Sequence, residues 1–154
     1  LVCVDNADAE SEALNTLDLR HAAVTDITLA ANSGLNAWKS NEDSVTHDFI
    51  RLESYAPNKL TYKAETASER LAVFSEIYYP HGWHLLIDEQ EATIYRVNYT
   101  LRAAIIPQGA HTIMMYFVPE ALNSDKWATL MVLLIIVGSL ISILVHYIKQ
   151  WRSN

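Results

Sequence analysis

Residues 59–65 read KLTYKAE, in which Leu60, Tyr62 and Ala64 alternate with Lys59, Thr61, Lys63 and Glu65. Successive side chains of a strand point to opposite faces, so a period of two specifies a strand with one side buried and one in water, as in an antiparallel sheet. Ala56-Pro57-Asn58 supplies the turn before it. On the far side, Arg70 to Tyr79 is apolar on both faces, as a central strand of a sandwich is, and Pro80-His81-Gly82 breaks it before Trp83 to Ile87. Further strands are predicted at about Thr93 to Asn98, Leu101 to Ile106 and His111 to Val118, with Pro107-Gln108-Gly109 as the last turn. Short strands at this spacing predict a mainly β domain, an antiparallel β-sandwich or jelly-roll-like fold.

Toward the N-terminus the pattern changes. Leu1 to Val4 reads as the end of a strand, and Asp5 or Asn6 can cap a short surface helix over about residues 6–17. Asp8, Glu10 and Glu12 suit its positive end, and Ala9, Ala13, Leu14 and Leu17 give it an apolar side. Arg20 to Leu29, rich in Val, Ile and Thr, predicts one or two short strands. Residues 31–46 are polar and aperiodic and predict a loop, with Trp38 its one large apolar residue.

Toward the C-terminus, Trp127 to Ile148 contains no Asp, Glu, Lys or Arg. As a helix it reaches roughly 33 Å, enough to cross a hydrocarbon core about 30 Å thick. A buried core helix or a signal peptide is the alternative, but the one rarely runs so long without a charge and the other lies at the N-terminus. Trp127, Tyr147 and Trp151 stand at headgroup level, and Lys149 and Arg152 favour a cytoplasmic end. The expected organisation is an extracytoplasmic domain over 1–126, a span over 127–148 and a cytoplasmic tail over 149–154, the domain lying close to the bilayer. All eighteen Asp and Glu precede Trp127 with only nine of the eleven Lys and Arg. An acidic surface of this kind argues against nucleic acid as a partner. The single Cys3 excludes an intrachain disulfide and a multi-cysteine zinc site. With Leu1 in first place, the chain is expected to follow a removed leader or to be part of something longer.

From Ser54 onward the sequence carries an ordered series of motifs: Tyr78-Tyr79-Pro80 with Gly82 and Trp83, then Asp88, then Asn98 and Arg102, then Pro107, Gly109 and His111, and finally Tyr116 with Pro119. This series resembles the C-terminal region of the bacterial YfhO family of polytopic membrane proteins, over about the last two-thirds of the chain. Two positions depart from it. Glu89 stands where a glycine usually follows the hairpin Asp, which predicts a turn longer than the two-residue type I′ form. The glycine before the final helix is also missing, with Asp125 near that place. The resemblance implies a bacterial inner-membrane protein related to C-type glycosyltransferases, some of which transfer sugars from lipid-linked donors to cell-envelope polymers. The carboxylates of such enzymes lie among early membrane helices, so no catalytic residue is expected in this chain.

A direct search agrees: there is no Gly-x-Ser-x-Gly elbow, no His-Glu-x-x-His, no phosphate-cradling glycine loop and no Asp-x-Asp. No cofactor is expected. His81, His84 and Asp88 are ordinary metal ligands by type, but residues three apart on a strand point opposite ways, so no metal is expected either. Trp83, Tyr78 and Tyr79 are candidates for contact with a cell-envelope glycan, because aromatic faces stack on apolar ligand surfaces; the competing reading of Trp83 is core packing. Arg102 is a further candidate, although Arg96 and Arg102 on apolar strands ordinarily pair with carboxylates such as Asp88 or Glu76. Asn98-Tyr99-Thr100 fits a glycosylation acceptor by pattern alone. In the apolar helix, Gly138, Ser142 and His146 recur every four residues and so share a face, a stripe suited to packing on upstream membrane helices of the same protein. The readings left open are an accessory domain of a membrane transferase, a non-catalytic structural or partner- or glycan-binding membrane-anchored domain, and a self-contained single-pass binding protein.

Overall fold

A computed structural model describes residues 1–39, 48–119 and 121–152, with only the helical backbone over 121–128. It divides into two units, Leu1–Val118 and Pro119–Asn154. In the first unit the elements run β1 (Val2–Val4), α1 (Ala7–Leu14), β2 (Val24–Asp26), α2 (Ile27–Ser33), a 3-10 turn (Leu35–Ala37), β3 (Phe49–Ala56), β4 (Lys59–Thr66), β5 (Arg70–Ile77), β6 (Trp83–Ile87), β7 (Gln90–Ala92), β8 (Tyr95–Val97), β9 (Leu101–Ile106) and β10 (Gly109–Phe117). The second unit holds α3 (Ala121–Arg152).

Two antiparallel sheets form the sandwich, one of five strands in the order β3-β4-β10-β6-β7 and one of three in the order β5-β9-β8. The alternation in KLTYKAE does what its period requires: Leu60, Tyr62 and Ala64 are buried and meet Leu85, Ile87, Ile113 and Met115 of their own sheet and Phe74, Ala104 and Ile106 of the other. The Tyr62 and Phe74 rings meet edge to face at 5.0 Å. β5 and β9 read as apolar on both faces because the three-stranded sheet is covered twice. Its second face, with Val97 and Ala103 buried and Leu71, Val73 and Ile105 half-buried, packs on Ala23, Ala30, Leu35 and Trp38 of the N-terminal segment.

That segment departs from the sequence reading. β2 pairs with β1 in parallel through the α1 crossover, and the stretch after it coils into α2 instead of a second strand. Asp26 stops the strand by capping α2, its carboxylate accepting from the Thr28 and Leu29 amides at 2.7 and 3.2 Å. Residues 31–33 therefore close a helix and 35–37 a 3-10 turn, while 40–46 of the expected loop lie outside the described residues. The cap of α1 is Asn6, whose side chain accepts from the Ala9 amide at 2.9 Å. β7, absent from the sequence reading, is the short partner of β6.

The expected long turn between β6 and β7 is in fact two residues. Ile87 pairs with Gln90, and Asp88 and Glu89 have φ of 49° and 68°, the type I′ pattern. Tertiary hydrogen bonds hold this unfavourable backbone in place. The Asp88 amide donates to the Thr112 carbonyl at 2.9 Å, and its carboxylate accepts from the Thr112 amide at 2.8 Å and from His111 Nδ1 at 2.6 Å.

In the second unit, Thr129–Arg152 is long and apolar enough to cross a membrane, and its side chains are exposed throughout. The Trp127 side chain lies outside the described part. Gly138, Ser142 and His146 fall on one face by helical spacing, and the neighbouring Ser139 turns its hydroxyl back to the Ile136 carbonyl at 2.7 Å.

Candidate functional site

The β5–β6 connection, residues 78–82, borders a concave part of the sandwich surface. Its two ends are fixed by the backbone: Tyr78 N donates to the Thr100 carbonyl and Val118 N to the Gly82 carbonyl, each at 2.7 Å. Gly82 has φ of +75°, and a Cβ there would stand 2.7 Å from both the Val118 oxygen and a Phe117 ring carbon. Only glycine meets both demands, which accounts for its place between Pro80 and Trp83.

Two adjoining chambers flank this connection and share Tyr78, Pro80 and Ile94 in their walls. The smaller, of ≈200 Å³, adds Tyr79, Trp83, His84 and Glu91. The larger, of ≈520 Å³, adds Leu29, Ser33, Tyr95, Arg96, Tyr99 and Thr100. The structure thus brings Tyr78, Tyr79 and Trp83 to one groove. Trp83 is also a packing residue, half-buried against the core, its ring tilted on Phe117 at 5.5 Å. Platform and core are one residue here.

Arg102 lies under that ring, its guanidinium carbon 3.9 Å from the Trp83 centroid. It is 4% exposed and lines neither chamber. Its Nε donates to the Ile77 carbonyl at 2.9 Å, and its Nη1 is buried without a hydrogen-bond partner among the described residues. Burial pushes the guanidinium below its usual pKa range, and the charge of Glu76 opposes that shift. The residue acts as a buried cation beneath an aromatic face, a contact that strengthens when desolvated, and not as an exposed ligand contact.

Arg96 pairs with neither Asp88 nor Glu76. Its Nη2 donates to Glu10 at 2.8 Å, and the other Glu10 oxygen accepts from the Tyr99 amide at 2.8 Å. Glu10 is fully buried, so the helix expected on the surface sends one carboxylate inward. The Arg96 guanidinium also lies 5.8 Å from the Tyr99 ring centroid. Tyr95 and Tyr99 of the larger chamber, and Glu10 behind it, are not singled out as candidates in the sequence, whereas Arg96 is considered there with a different carboxylate partner. The φ of 69° at Tyr99 is carried by the amide bond to Glu10.

Asn98 is 7% exposed; its side-chain oxygen accepts from Val24 N at 2.9 Å and its own amide donates to the Val24 carbonyl at 2.7 Å. It serves as a strand partner for β2, which leaves no accessible acceptor for glycosylation. The three metal-type residues are not brought together. His84 stacks on Tyr116 at 5.1 Å, His81 meets Tyr79 edge-on at 5.6 Å, and Asp88 binds His111. Among the described residues no group of three His, Cys, Asp or Glu side chains is placed to hold a metal.

His111 has a carboxylate at Nδ1 and the Gln108 carbonyl 3.1 Å from Nε2. An acceptor at each nitrogen favours the doubly protonated ring, since only the imidazolium donates from both. The bond to Asp88 raises its pKa, with burial opposing. The Asp88 carboxyl is lowered, first by the Thr112 amide and then by His111.

Much of the motif series thus has a geometric role: a forced glycine at 82, a ring over a buried cation at 83 and 102, a turn latched by 88 and 111, and a strand substitute at 98. The chain matches the family described as bacterial membrane protein YfhO over residues 24–129. No curated protein and no solved structure matches it. The match runs from β2 through the whole sandwich into the start of the apolar helix, and on that ground the chain belongs to the YfhO family of bacterial membrane proteins.

Proposed function

We propose that this chain is the C-terminal extracytoplasmic domain and last membrane helix of a protein that transfers sugars from lipid-linked donors to cell-envelope glycans. In this reading the sandwich covers the outer face of a membrane-embedded transferase and touches the acceptor glycan. The observation that carries it is the groove, where Tyr78, Tyr79 and Trp83 stand beside His84 and Glu91. Flat rings next to hydrogen-bonding groups suit a ligand with apolar C–H faces and many hydroxyls. Tyr79 is the clean probe, being 53% exposed, whereas Trp83→Ala also removes core packing. In the full chain held in nanodiscs, Tyr79→Ala is expected to weaken glycan binding about five- to tenfold with an unchanged melting temperature. Unchanged binding in that variant would sink the contact.

Sidedness has a built-in reporter. Cys3 is the one cysteine of the chain and is exposed. A membrane-impermeant maleimide added to intact cells is expected to label it; labelling only after lysis reverses the orientation. The stripe of Gly138, Ser142 and His146 supports packing on further helices of the same protein. Cysteine cross-links from those positions to upstream spans are the expected result, and exclusive homodimer products would exclude a bundle. The second reading, a structural or partner-binding domain without a sugar role, is favoured by the packing of Trp83 on Phe117 and the core. It predicts that envelope glycosylation is unchanged when Tyr79 is replaced.

A further inference from the structure

We infer that the larger chamber, walled by Tyr95, Arg96 and Tyr99, is a second subsite of the groove, so that the groove takes a neutral oligosaccharide of linked residues and not a single sugar or an anionic glycan. This rests on the sugar reading of the smaller chamber.

Size points the same way. Ordinary ligand pockets occupy roughly 300–1,000 Å³. The smaller chamber, at ≈200 Å³, falls short of that range, and the larger, at ≈520 Å³, falls within it. A ligand seated on Tyr79 and Trp83 gains an ordinary amount of burial only by continuing past Tyr78, Pro80 and Ile94, the residues common to both. The lining repeats in kind: rings at Tyr95 and Tyr99, hydroxyls at Ser33 and Thr100, and a guanidinium at Arg96.

Charge selects the class of glycan. Arg96 is the one cation among the residues lining the chambers, and the buried carboxylate of Glu10 already neutralises it at 2.8 Å. Glu91 adds a negative charge at the other end. A phosphate or uronate would enter a groove without net positive charge, inside a domain with an excess of acids. Hydroxyls meet no such repulsion. Glu10 also holds the wall in shape through Arg96 and the Tyr99 amide, so the chamber is formed before a ligand arrives.

The test uses the full chain in phosphatidylcholine nanodiscs and calorimetry with malto-, chito- and β-galacto-oligosaccharides of one to six residues, plus tetragalacturonate. Affinity is expected to rise at least about tenfold from monosaccharide to tetrasaccharide in one neutral series, with no binding of tetragalacturonate. Tyr99→Asn removes the ring while keeping a residue that tolerates the left-handed backbone, and Ser33→Trp fills the chamber from its other wall. Each is expected to erase the gain with chain length and leave monosaccharide affinity intact, with melting temperature as the control for folding. If both variants bind like the parent chain while Tyr79→Ala is impaired, the second subsite is wrong and the sugar contact stands. Preference for tetragalacturonate overturns the neutral class. Absence of binding across every series removes the sugar reading and the second subsite together.

Discussion

Glu89 shows how a single residue can sit against its local preference. A left-handed backbone costs a non-glycine residue roughly 1–2 kcal/mol, and Glu89 at φ 68° has no side-chain compensation among its described contacts. Glu89→Gly is therefore expected to stabilise the chain by about 0.5–1 kcal/mol in denaturant unfolding, since glycine's greater unfolded-state freedom takes back part of the gain. Its neighbour Asp88 is different, because its carboxylate latches this turn to β10 through His111 and Thr112. The pH dependence follows from the two shifts. His111 binds its proton more tightly folded than unfolded, so its contribution is full below the ordinary value of 6.5 and is lost as pH rises through the raised value. Asp88 is depressed, so its contribution is present above 3.8 and is lost as pH falls through the lowered value. Between those limits the latch is complete. Melting temperature is expected to fall from pH 6 to pH 8.5, and His111→Gln to flatten that slope. The sequence places both residues in the motif series, but it does not pair them: they stand 23 positions apart and meet only through the sheet.

β3 is an edge strand of eight residues whose side chains are nearly all exposed, including Phe49, Ile50, Leu52 and Tyr55. Such an edge invites another strand. Two features blunt it: a bulge between Leu52 and Ser54 and the outward charges Arg51 and Glu53. Arg51→Val with Glu53→Val is expected to produce self-association visible in light scattering while melting temperature stays within a few degrees; a monodisperse double variant would show that the bulge alone suffices. Legibility differed element by element for physical reasons. β4 is a strand with one face buried, which a hydrophobic period of two reports directly, whereas β9 is buried on both faces and shows instead as a continuous apolar run. α2 was obscured because Ile27, Thr28 and Leu29 carry strand-type side chains, although Asp26 as cap and Gly34, left-handed at φ 77° after its end, were signals available in the sequence. Glu10 of α1 reads locally as a dipole partner; its bond to Arg96 spans 86 residues, beyond any local pattern.

At the scale of the whole molecule, the sequence made legible a β-domain followed by a membrane-length helix and three of the groove's rings. The second cover of the three-stranded sheet was not legible, because nothing in residues 20–38 announces which surface they will meet. That double cover singles out β9, which has a neighbouring strand on each side and a packed layer above and below. Ala103 faces the N-terminal layer and Ala104 the five-stranded sheet, both without exposed surface. Amide protons there can reach solvent only if both layers part, so deuterium uptake is expected to be slowest across 102–105 and faster in β3 and β7, whose outer edges have no neighbouring strand among the described residues. Uptake in β9 matching that of β3 would mean that the layers open independently. An Ala104→Val substitution should leave the α1–β2 region as slow as before and speed exchange in β4 and β10, separating the two halves of the interior by the clock of their opening.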